Sequence, residues 1–160
     1  MDKKSLIREK YFLKRKKNFF EISDKFFLPL INIIKKKGIS KKAFISLYYP
    51  SSFEVDVLKI LKVEYFKKFN FLLPIIQKNN SMEFYKWKHN EILYVNKYGI
   101  PEPTKTIKII PSIMLIPLLA FDKDKNRLGY GKGYYDKYLH KYIKTCLLYT
   151  SDAADDVYFV

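Results

Sequence analysis

The feature that most constrains the fold is the apolar run "IMLIPLLAF", which extends from Ile113 to Phe121. A run without polar residues on either face is typical of a central strand that is covered on both sides. Because proline has no backbone N–H to donate to a neighbouring strand, we expect the strand to end at Pro117 and a loop to follow. The run therefore predicts a sheet inside the protein, with helices packed on both of its faces.

Helical and strand patterns alternate along the rest of the chain. Apolar residues at helical spacing predict helices over Lys3–Lys17, from Ser23 as N-cap to Lys37, over Glu54–Phe66, and from Gly133 onward. Strand patterns occupy Ala43–Tyr49, Phe71–Ile76 and Met82–Trp87. This order predicts the α/β class, as a three-layer α/β/α sandwich with a mostly parallel central sheet.

The charge balance is strongly basic. Lys and Arg number 31 against 16 Asp and Glu, which gives a formal net charge of +15 in 160 residues. Such a surplus attracts polyanions, so a basic nucleic-acid-binding module is one hypothesis for the function. The lysines are spread along the chain, however, and a biased genomic base composition also produces many Lys, Asn, Ile, Phe and Tyr residues. The charge is therefore weak evidence for a nucleic-acid partner.

Cysteine usage and chain length indicate the setting and the domain count. The single cysteine, Cys146, excludes a disulfide within the chain and a cysteine-based zinc site. The N-terminal segment lacks the apolar stretch of a signal peptide, and no apolar run is long enough to span a bilayer. We expect a cytoplasmic protein with a single domain over residues 1–145.

Three of the five glycines fall within "NRLGYGKGYYDKYL". The spacing of Gly129, Gly131 and Gly133 matches neither a Walker A loop nor the dinucleotide-binding fingerprint. A glycine loop between a buried strand and a helix can direct backbone N–H groups towards an anion, and Arg127 and Lys132 add positive charge beside it. From the residues alone, a phosphate site and a plain strand-to-helix turn both stay open.

Asp136 falls in the first turn of the predicted last helix. A carboxylate at this position interacts favourably with the helix dipole. It is also suited to Mg²⁺, which prefers one or two carboxylates together with phosphate oxygens. One aspartate alone does not decide between these two roles.

The segment "LIPLLAFDKDKNRLGYGKGYYDKYL", Leu115–Leu139, closely resembles the signature of the 5-formyltetrahydrofolate cyclo-ligase family, also called methenyltetrahydrofolate synthetase. The family pattern runs from a strand through proline and "AFD" to "NRLG-G-GYYD", and each part is present in that order. Four other segments resemble the family's N-terminal helix, folate-contacting stretch, middle section and a short loop motif: "KKSLIREKY", "LYYPSSFEVD", "LPIIQKNNSMEFYKW" and "YGIPEP". The resemblance extends from Lys3 to about Ile143.

The resemblance implies an ATP- and Mg²⁺-dependent ring closure of 5-formyltetrahydrofolate to 5,10-methenyltetrahydrofolate, with release of ADP and phosphate. It implies that Lys4 and Arg8 reach the ATP phosphates, that Tyr49 and Glu54 contact the folate, and that Asp136 binds Mg²⁺. The ATP loop would comprise Arg127, Leu128, Gly129, Tyr130, Gly131, Lys132, Gly133, Tyr134 and Tyr135. Because phosphoryl transfer needs positive charge near the transferred group, Lys132 and Arg127 are the catalytic candidates.

The resemblance also implies a monomer whose partners are ATP and a folate, without nucleic acid or membrane. Two alternatives are the basic nucleic-acid-binding module and a degenerate family member that binds nucleotide or folate without turnover. Tyr130 departs from some relatives, which carry arginine there, and so removes one positive charge from the loop. We interpret Trp87 as a core or cleft-lining aromatic rather than a dedicated pterin-stacking residue.

The chain departs from the family pattern after Thr145. The composition changes abruptly from lysine-rich to small and acidic in "CLLYTSDAADDVYFV", and the His-Asp pair of the family is not found there. We therefore expect residues 146–160 to be an atypical tail that is not native family sequence. We also expect the C-terminal strands of the sheet to be missing.

Overall fold

The computed structural model describes residues 3–122, 124 and 126–142, together with the backbone of 147–150. Within these residues the α-helices are α1 (Lys3–Lys17), α2 (Leu28–Lys36) and α3 (Tyr134–Tyr142). Short 3-10 helices cover Asp24–Phe27, Val57–Lys62 and Glu64–Phe66. The strands are β1 (Phe44–Ser46), β2 (Asn70–Ile76), β3 (Met82–Trp87), β4 (Leu93–Val95), β5 (Pro101–Pro103), β6 (Ile113–Ile116), β7 (Ala120–Phe121), β8 (Arg127–Leu128) and β9 (Leu147–Thr150).

The central sheet has the strand order β3-β2-β1-β6-β9. Strand β1 runs parallel to β2 and β6, β9 runs parallel to β6, and β3 runs antiparallel to β2. The predicted α/β fold with a mostly parallel sheet is therefore confirmed. In such a sheet the carboxyl ends of the parallel strands lie at one edge, which is where α/β proteins bind ligands.

Strand β6 lies at the centre of the core, and all four of its residues are buried, as the apolar run predicted. Its side chains alternate between two clusters. Ile113 and Leu115 join the cluster that contains Phe27 next to α2, and the other two residues join the cluster that contains Tyr138 of α3. Trp87 is buried in the first cluster, which confirms its interpretation as a core aromatic.

Residues 57–66 form 3-10 helices, so the α-helix predicted there is wrong. The apolar residues buried in this segment follow one another at intervals of three: Val57, Ile60, Val63 and Phe66. This interval matches the three residues per turn of a 3-10 helix. The Asp56 side chain begins the segment by accepting a hydrogen bond from the N–H of Leu58 at 3.2 Å.

Two other predicted boundaries shift. Ser23 makes no side-chain capping hydrogen bond, and the α-helix begins five residues later with Pro29 in its first turn, where the fixed φ of proline is tolerated. The strand predicted over Ala43–Tyr49 is shortened to β1. The residues after β1 instead form a loop at the carboxyl edge of the sheet.

Helix α1 has the predicted bounds but no buried residue. Its apolar side chains Leu6 and Leu13 are more than half exposed. Phe12 makes an edge-to-face contact with Phe53 at 6.1 Å between ring centroids. Two arginines of α1 also make hydrogen bonds, which are described with the site. No helix in the described ranges has both the length and the apolar character that crossing a membrane requires.

The sheet continues for one strand beyond residue 145, because β9 pairs with β6 in parallel register. This strand falls within the segment that we expect to be an atypical tail. Residues 146 and 151–160 of that segment lie outside the described residues. The domain boundary after Thr145 therefore stays a prediction.

Candidate functional site

A cavity of about 380 Å³ opens at the carboxyl ends of the parallel strands. One wall contains Tyr48 and Tyr49 after β1, Ile76 at the end of β2, and Pro117 after β6. The facing wall is the glycine loop, residues 129–133, with the start of α3. Among the predicted site residues, those that line the cavity are Tyr49, Glu54, Arg127, Gly129, Tyr130, Gly131, Lys132, Gly133, Tyr134, Tyr135 and Asp136.

A short hairpin of β7 and β8 leads into the glycine loop. The N–H of Leu119 donates to the carbonyl oxygen of Leu128 at 2.8 Å, so Leu128 serves the hairpin rather than the cavity wall. At the hairpin tip the carboxylate of Asp122 accepts hydrogen bonds from the backbone N–H and side-chain amide of Asn126 at 2.8 and 3.0 Å. These bonds lower the pKa of Asp122. The aspartate and asparagine of the motif thus fix where the glycine loop begins.

The glycine loop uses its glycines for backbone conformation and for close approach. Gly131 and Gly133 adopt φ values of +94° and +71°, which side chains other than glycine rarely adopt. A Cβ on Gly131 would lie 3.2 Å from Cζ of Arg8. A Cβ on Gly129 would lie 3.0 Å from Nη1 of Arg127. Alanine at either of these two positions would displace an arginine.

Helix α1 is bound to the loop through two arginines. Arg8 donates from Nε to the carbonyl oxygen of Gly129 at 3.0 Å. Arg15, two turns later, donates to the hydroxyl of Tyr130 and to the carbonyl oxygen of Leu118. The first contact places Arg8 next to the glycine loop, and its predicted contact with ATP stays a prediction; Arg15 is not among the predicted site residues.

Arg127 is held in a defined orientation at the start of the loop. It donates to the carbonyl oxygen of Pro117 at 3.1 Å and pairs with the carboxylate of Asp136. Its guanidinium carbon lies 5.9 Å from the centroid of the Tyr135 ring. Because a planar guanidinium fixes several N–H directions at once, this arrangement presents a positive charge with a set geometry to the cavity.

The two predicted lysines differ in placement. Lys132 lines the cavity, and its Nζ lies 5.3 Å from the centroid of the Tyr98 ring. Lys4 lies one turn before Arg8 on the same face of α1, where it is exposed. It makes no hydrogen bond to the described residues of the loop. The structure therefore brings Lys132, but not Lys4, into the cavity wall.

Glu54 is the buried carboxylate of the cavity, with 7% of the residue exposed. Its Oε2 accepts a hydrogen bond from the N–H of Ser51 at 2.8 Å. The hydroxyl of Tyr130 and the charge of Arg15 also favour the ionised carboxylate, yet burial outweighs them and raises the pKa of Glu54. A buried carboxylate with a perturbed pKa at a cavity wall is typical of a ligand-binding group.

The turn that presents Glu54 has a strained backbone. Ser52 and Phe53 adopt φ values of +51° and +63° without being glycine, a conformation that costs L-residues about 1–2 kcal/mol each. The Phe53 ring packs edge-on against Phe12 and Phe19, each at 6.1 Å. Packing on α1 and its C-terminal extension thus holds the turn in this conformation.

Ser52→Gly is expected to stabilise the protein by about 0.5–1 kcal/mol, because glycine adopts a positive φ without strain. The greater conformational freedom of glycine in the unfolded chain offsets part of this gain. Urea unfolding at neutral pH measures the change. Ser52→Ala is the matched control, since alanine keeps the strain and gives no gain. Equal stability of the two variants would contradict strain at this turn.

The third wall of the cavity, on the β4–β5 hairpin, contains no predicted site residue. Glu102 accepts hydrogen bonds from the N–H of Ile76 and the side-chain amide of Asn96, both at 2.8 Å. The hydroxyl groups of Tyr98 and Tyr134 are 2.8 Å apart, a bond that lowers the pKa of Tyr98 and raises that of Tyr134. The motif "YGIPEP" was the available signal for this wall, because it contains both Tyr98 and Glu102.

Asp136 lies next to the glycine loop, in the first turn of α3. Its side chain is 68% exposed and pairs with Arg127. Within the described ranges no three His, Cys, Asp or Glu residues come together, so these residues form no all-protein metal cage. Mg²⁺ takes one or two carboxylates and completes its shell with phosphate and water oxygens, so Asp136 fits as the single protein ligand of such an ion.

The fold and the cavity together define an α/β protein with a cationic glycine loop at the carboxyl edge of a parallel sheet, an arrangement suited to phosphorylated ligands. The model of the 5-formyltetrahydrofolate cyclo-ligase family matches residues 3–152. This chain therefore belongs to the 5-formyltetrahydrofolate cyclo-ligase family.

Two curated relatives agree with this assignment. A Schizosaccharomyces pombe protein named "Probable 5-formyltetrahydrofolate cyclo-ligase" is 35% identical over 96 residues, which cover 56% of this chain and 47% of that protein. The Haemophilus influenzae 5-formyltetrahydrofolate cyclo-ligase is 27% identical over 119 residues, which cover 70% of this chain and 62% of that protein. The chain thus spans about half to three-fifths of the length of these relatives.

A solved structure has the same fold. The NMR structure of Aquifex aeolicus 5,10-methenyltetrahydrofolate synthetase superposes with a TM-score of 0.66 at 25% identity. The match covers 96% of this chain and 91% of that chain. The central sheet and its helical layers are therefore those of a known methenyltetrahydrofolate synthetase.

Proposed function

We propose that this protein uses ATP to close 5-formyltetrahydrofolate to 5,10-methenyltetrahydrofolate, as a monomer in the cytoplasm. One observation carries the proposal. A single cavity of about 380 Å³ has a glycine loop with Arg127 and Lys132 on one side and the buried Glu54 on the other. The two sides suit ligands of opposite character, a polyphosphate and an N–H donor. Membership of the cyclo-ligase family supports the reaction type.

The nucleotide belongs on the glycine loop. The backbone N–H groups of residues 130–133 donate to no described residue, so they are available to phosphate oxygens. The hydroxyl of Tyr135 is buried in the same wall without a partner in the described part of the chain. Arg127 and Lys132 supply positive charge to the transferred group, which is the main demand of phosphoryl transfer.

The folate belongs on Glu54. The aminopyrimidinone edge of a folate carries two neighbouring N–H donors, and a carboxylate can accept both. Tyr49 lines the same wall and offers an aromatic surface beside the ring. Binding at this edge directs N5 of the pterin, and N10 beyond the ring, away from Glu54 and towards the glycine loop.

The reaction then follows in two steps. The formyl oxygen forms a bond to the γ-phosphorus of ATP while the bond from that phosphorus to ADP breaks. N10 next forms a bond to the formyl carbon, its proton is lost to solvent or phosphate, and inorganic phosphate leaves with the former formyl oxygen. In this scheme the chain has to hold the two substrates in line and stabilise charge, and it contributes no covalent intermediate.

Asp136 would hold Mg²⁺ together with phosphate oxygens of the nucleotide. When bound, the ion would neutralise charge that develops on the phosphates. The pair of Asp136 with Arg127 orients the carboxylate before the nucleotide arrives.

An absorbance assay tests the proposal. The purified chain, mixed with 5-formyltetrahydrofolate, ATP and Mg²⁺, should produce the near-ultraviolet absorbance of the methenyl product. Omission of ATP or of the folate should abolish the signal. Binding of both substrates without absorbance change would assign the chain as a degenerate family member. Failure to bind the folate at all would overturn the proposal.

Arg127→Lys is expected to lower kcat about tenfold. Lysine keeps the charge but cannot contact the carbonyl oxygen of Pro117 and the carboxylate of Asp136 in one fixed fork, so a contact of about 1.5 kcal/mol is lost. Steady-state kinetics with saturating ATP and folate measure this effect. Lys105→Arg, the reverse exchange at an exposed residue outside the cavity, should leave kcat as it is. An unchanged kcat for Arg127→Lys would remove Arg127 from the catalytic role.

A further inference from the structure

The hydroxyl of Tyr130 lies between an arginine and the buried carboxylate. It accepts a hydrogen bond from Arg15 of α1. It also lies beside the carboxylate of Glu54 in the cavity lining, where it favours the charged form of that carboxylate. The three side chains come from the first helix, the turn after β1 and the glycine loop, so the tyrosine joins three segments that are distant in sequence.

This arrangement is built rather than incidental. Arg15 is fixed at a second point, because it also donates to the carbonyl oxygen of Leu118. Glu54 is fixed by the N–H of Ser51. The chain has only three arginines among its many basic residues, and Arg15 is the one that donates to the hydroxyl of Tyr130. A donor with fixed N–H directions therefore stands at this place.

We propose that Tyr130 and Arg15 are positioning residues for the folate, which hold Glu54 ionised and oriented towards the N–H groups of the pterin. The glycine loop then serves both substrates, with its backbone facing the nucleotide and one side chain supporting the folate carboxylate. This inference rests on the proposed function, since it names how that same cavity binds its folate.

The charged and titratable groups that face Glu54 set its protonation. They are Tyr130 and Arg15, which favour the carboxylate, and Tyr135, whose own pKa the charge of Glu54 helps to raise. Burial opposes the contacts with Tyr130 and Arg15 and raises the pKa of Glu54. Loss of the Tyr130 hydroxyl removes a stabilising contact to the charged form. The pH below which the folate is released therefore moves upward in a variant that lacks the hydroxyl.

Equilibrium binding of 5-formyltetrahydrofolate in the absence of ATP tests the inference, measured by titration calorimetry between pH 5 and 8. Tyr130→Phe should weaken binding about tenfold at pH 7, the effect of one hydrogen bond to a charged group. Its acid midpoint should lie at higher pH than that of the unsubstituted protein. Arg15→Gln should act in the same direction. The loss of folate affinity in the double variant should be smaller than the product of the two single-variant losses, because Arg15 acts partly through Tyr130.

Two further measurements separate positioning from a general structural effect. Lys14→Gln removes the same charge from the neighbouring position of α1, where Nζ lies over Tyr11, and should leave folate affinity within twofold. Tyr130→Phe should change the affinity for ATP by less than threefold. A thermal unfolding midpoint close to that of the unsubstituted protein would show that the fold is retained.

The outcomes are distinct. An unsubstituted protein that does not bind 5-formyltetrahydrofolate would overturn both the proposed function and this inference. A protein that binds it normally, with Tyr130→Phe showing an unmoved acid midpoint, would overturn the inference alone. A larger loss of ATP affinity than of folate affinity in Tyr130→Phe would do the same, because it would assign the hydroxyl to the nucleotide.

Discussion

Replacement of Gly131 by alanine should raise the KM for ATP about 30- to 100-fold. The residue adopts a φ of +94°; an L side chain in this region costs about 1–2 kcal/mol, and in the ATP-free protein the loop would relieve that strain by leaving the conformation that binds the phosphates. The added Cβ would also lie 3.2 Å from Cζ of Arg8 and 3.4 Å from its Nε, the atom that donates to Gly129. Displacement of this arginine costs about one further hydrogen bond, and each 1.4 kcal/mol corresponds to about a tenfold change.

Gly38→Ala is the matched control for this variant. Gly38 has a φ of +62°, follows α2 outside the cavity, and has no atom within 4 Å of the position of a Cβ. It should therefore lose a comparable amount of stability through backbone strain while the KM for ATP stays the same. Steady-state kinetics and urea unfolding of the two variants separate the effects. An equal rise of KM in both would mean that the glycine loop has no specific role in nucleotide binding.

The same pair of variants addresses the nucleic-acid hypothesis. Binding through a dispersed charge of +15 would be steeply salt-dependent and would not change with one methyl group at Gly131. A variant that loses ATP affinity and keeps any weak affinity for DNA or RNA assigns the loop to the nucleotide. If Gly131→Ala changes neither the affinity for ATP nor the affinity for DNA or RNA, the result would favour the basic nucleic-acid-binding module.

Elements with a single dominant pattern could be predicted from the sequence. The apolar run at Ile113–Ile116 forms a buried central strand that ends before Pro117. A strand without polar residues on either face is shielded from water only when other elements cover both of its faces. Residues 54–66 were predicted wrongly because apolar residues there are dense enough to match two periods. Only tertiary packing decides that Val57, Ile60, Val63 and Phe66, at intervals of three, face the core.

The site shows the same division between local and long-range information. The glycine loop, Arg127 and Asp136 are adjacent in sequence, so their motif predicts their proximity. Arg15 and Glu102 reach the site only through the fold.

The choice of arginine over lysine nevertheless contains a signal for Arg15. All three arginines of this lysine-rich chain contact the glycine loop or the residues that flank it, at Gly129, Tyr130 and Asp136. Where lysine is the default cation, arginine marks a requirement for fixed N–H directions.

Glu54→Gln should affect binding and stability in opposite directions. Glutamine replaces the charged carboxylate by a neutral amide. The N–H groups of this amide would face the N–H groups of the pterin, and two donors cannot hydrogen-bond each other. Two charged hydrogen bonds of about 1.5–3 kcal/mol each are lost, so the Kd for 5-formyltetrahydrofolate should rise at least a hundredfold. Titration calorimetry at neutral pH measures this change. Glu64→Gln, at an exposed glutamate paired with Lys67, should leave the Kd unchanged.

The stability effect follows from the direction of the pKa shift. Burial raises the pKa of Glu54 above 4.5, so the folded chain favours the protonated side chain. That favourable contribution to stability is complete below the pKa that Glu54 has in the unfolded chain. It is lost as the pH rises through the higher pKa that Glu54 has in the folded chain. At neutral pH the ligand-free protein therefore carries a buried charge at a cost, which glutamine removes while it still accepts from Ser51. The variant should have a Tm several degrees above the unsubstituted protein at pH 7, and the difference should vanish below pH 4.5. A Tm that falls at pH 7 would mean that Glu54 stabilises the fold, and the carboxylate would then be structural rather than retained for its ligand.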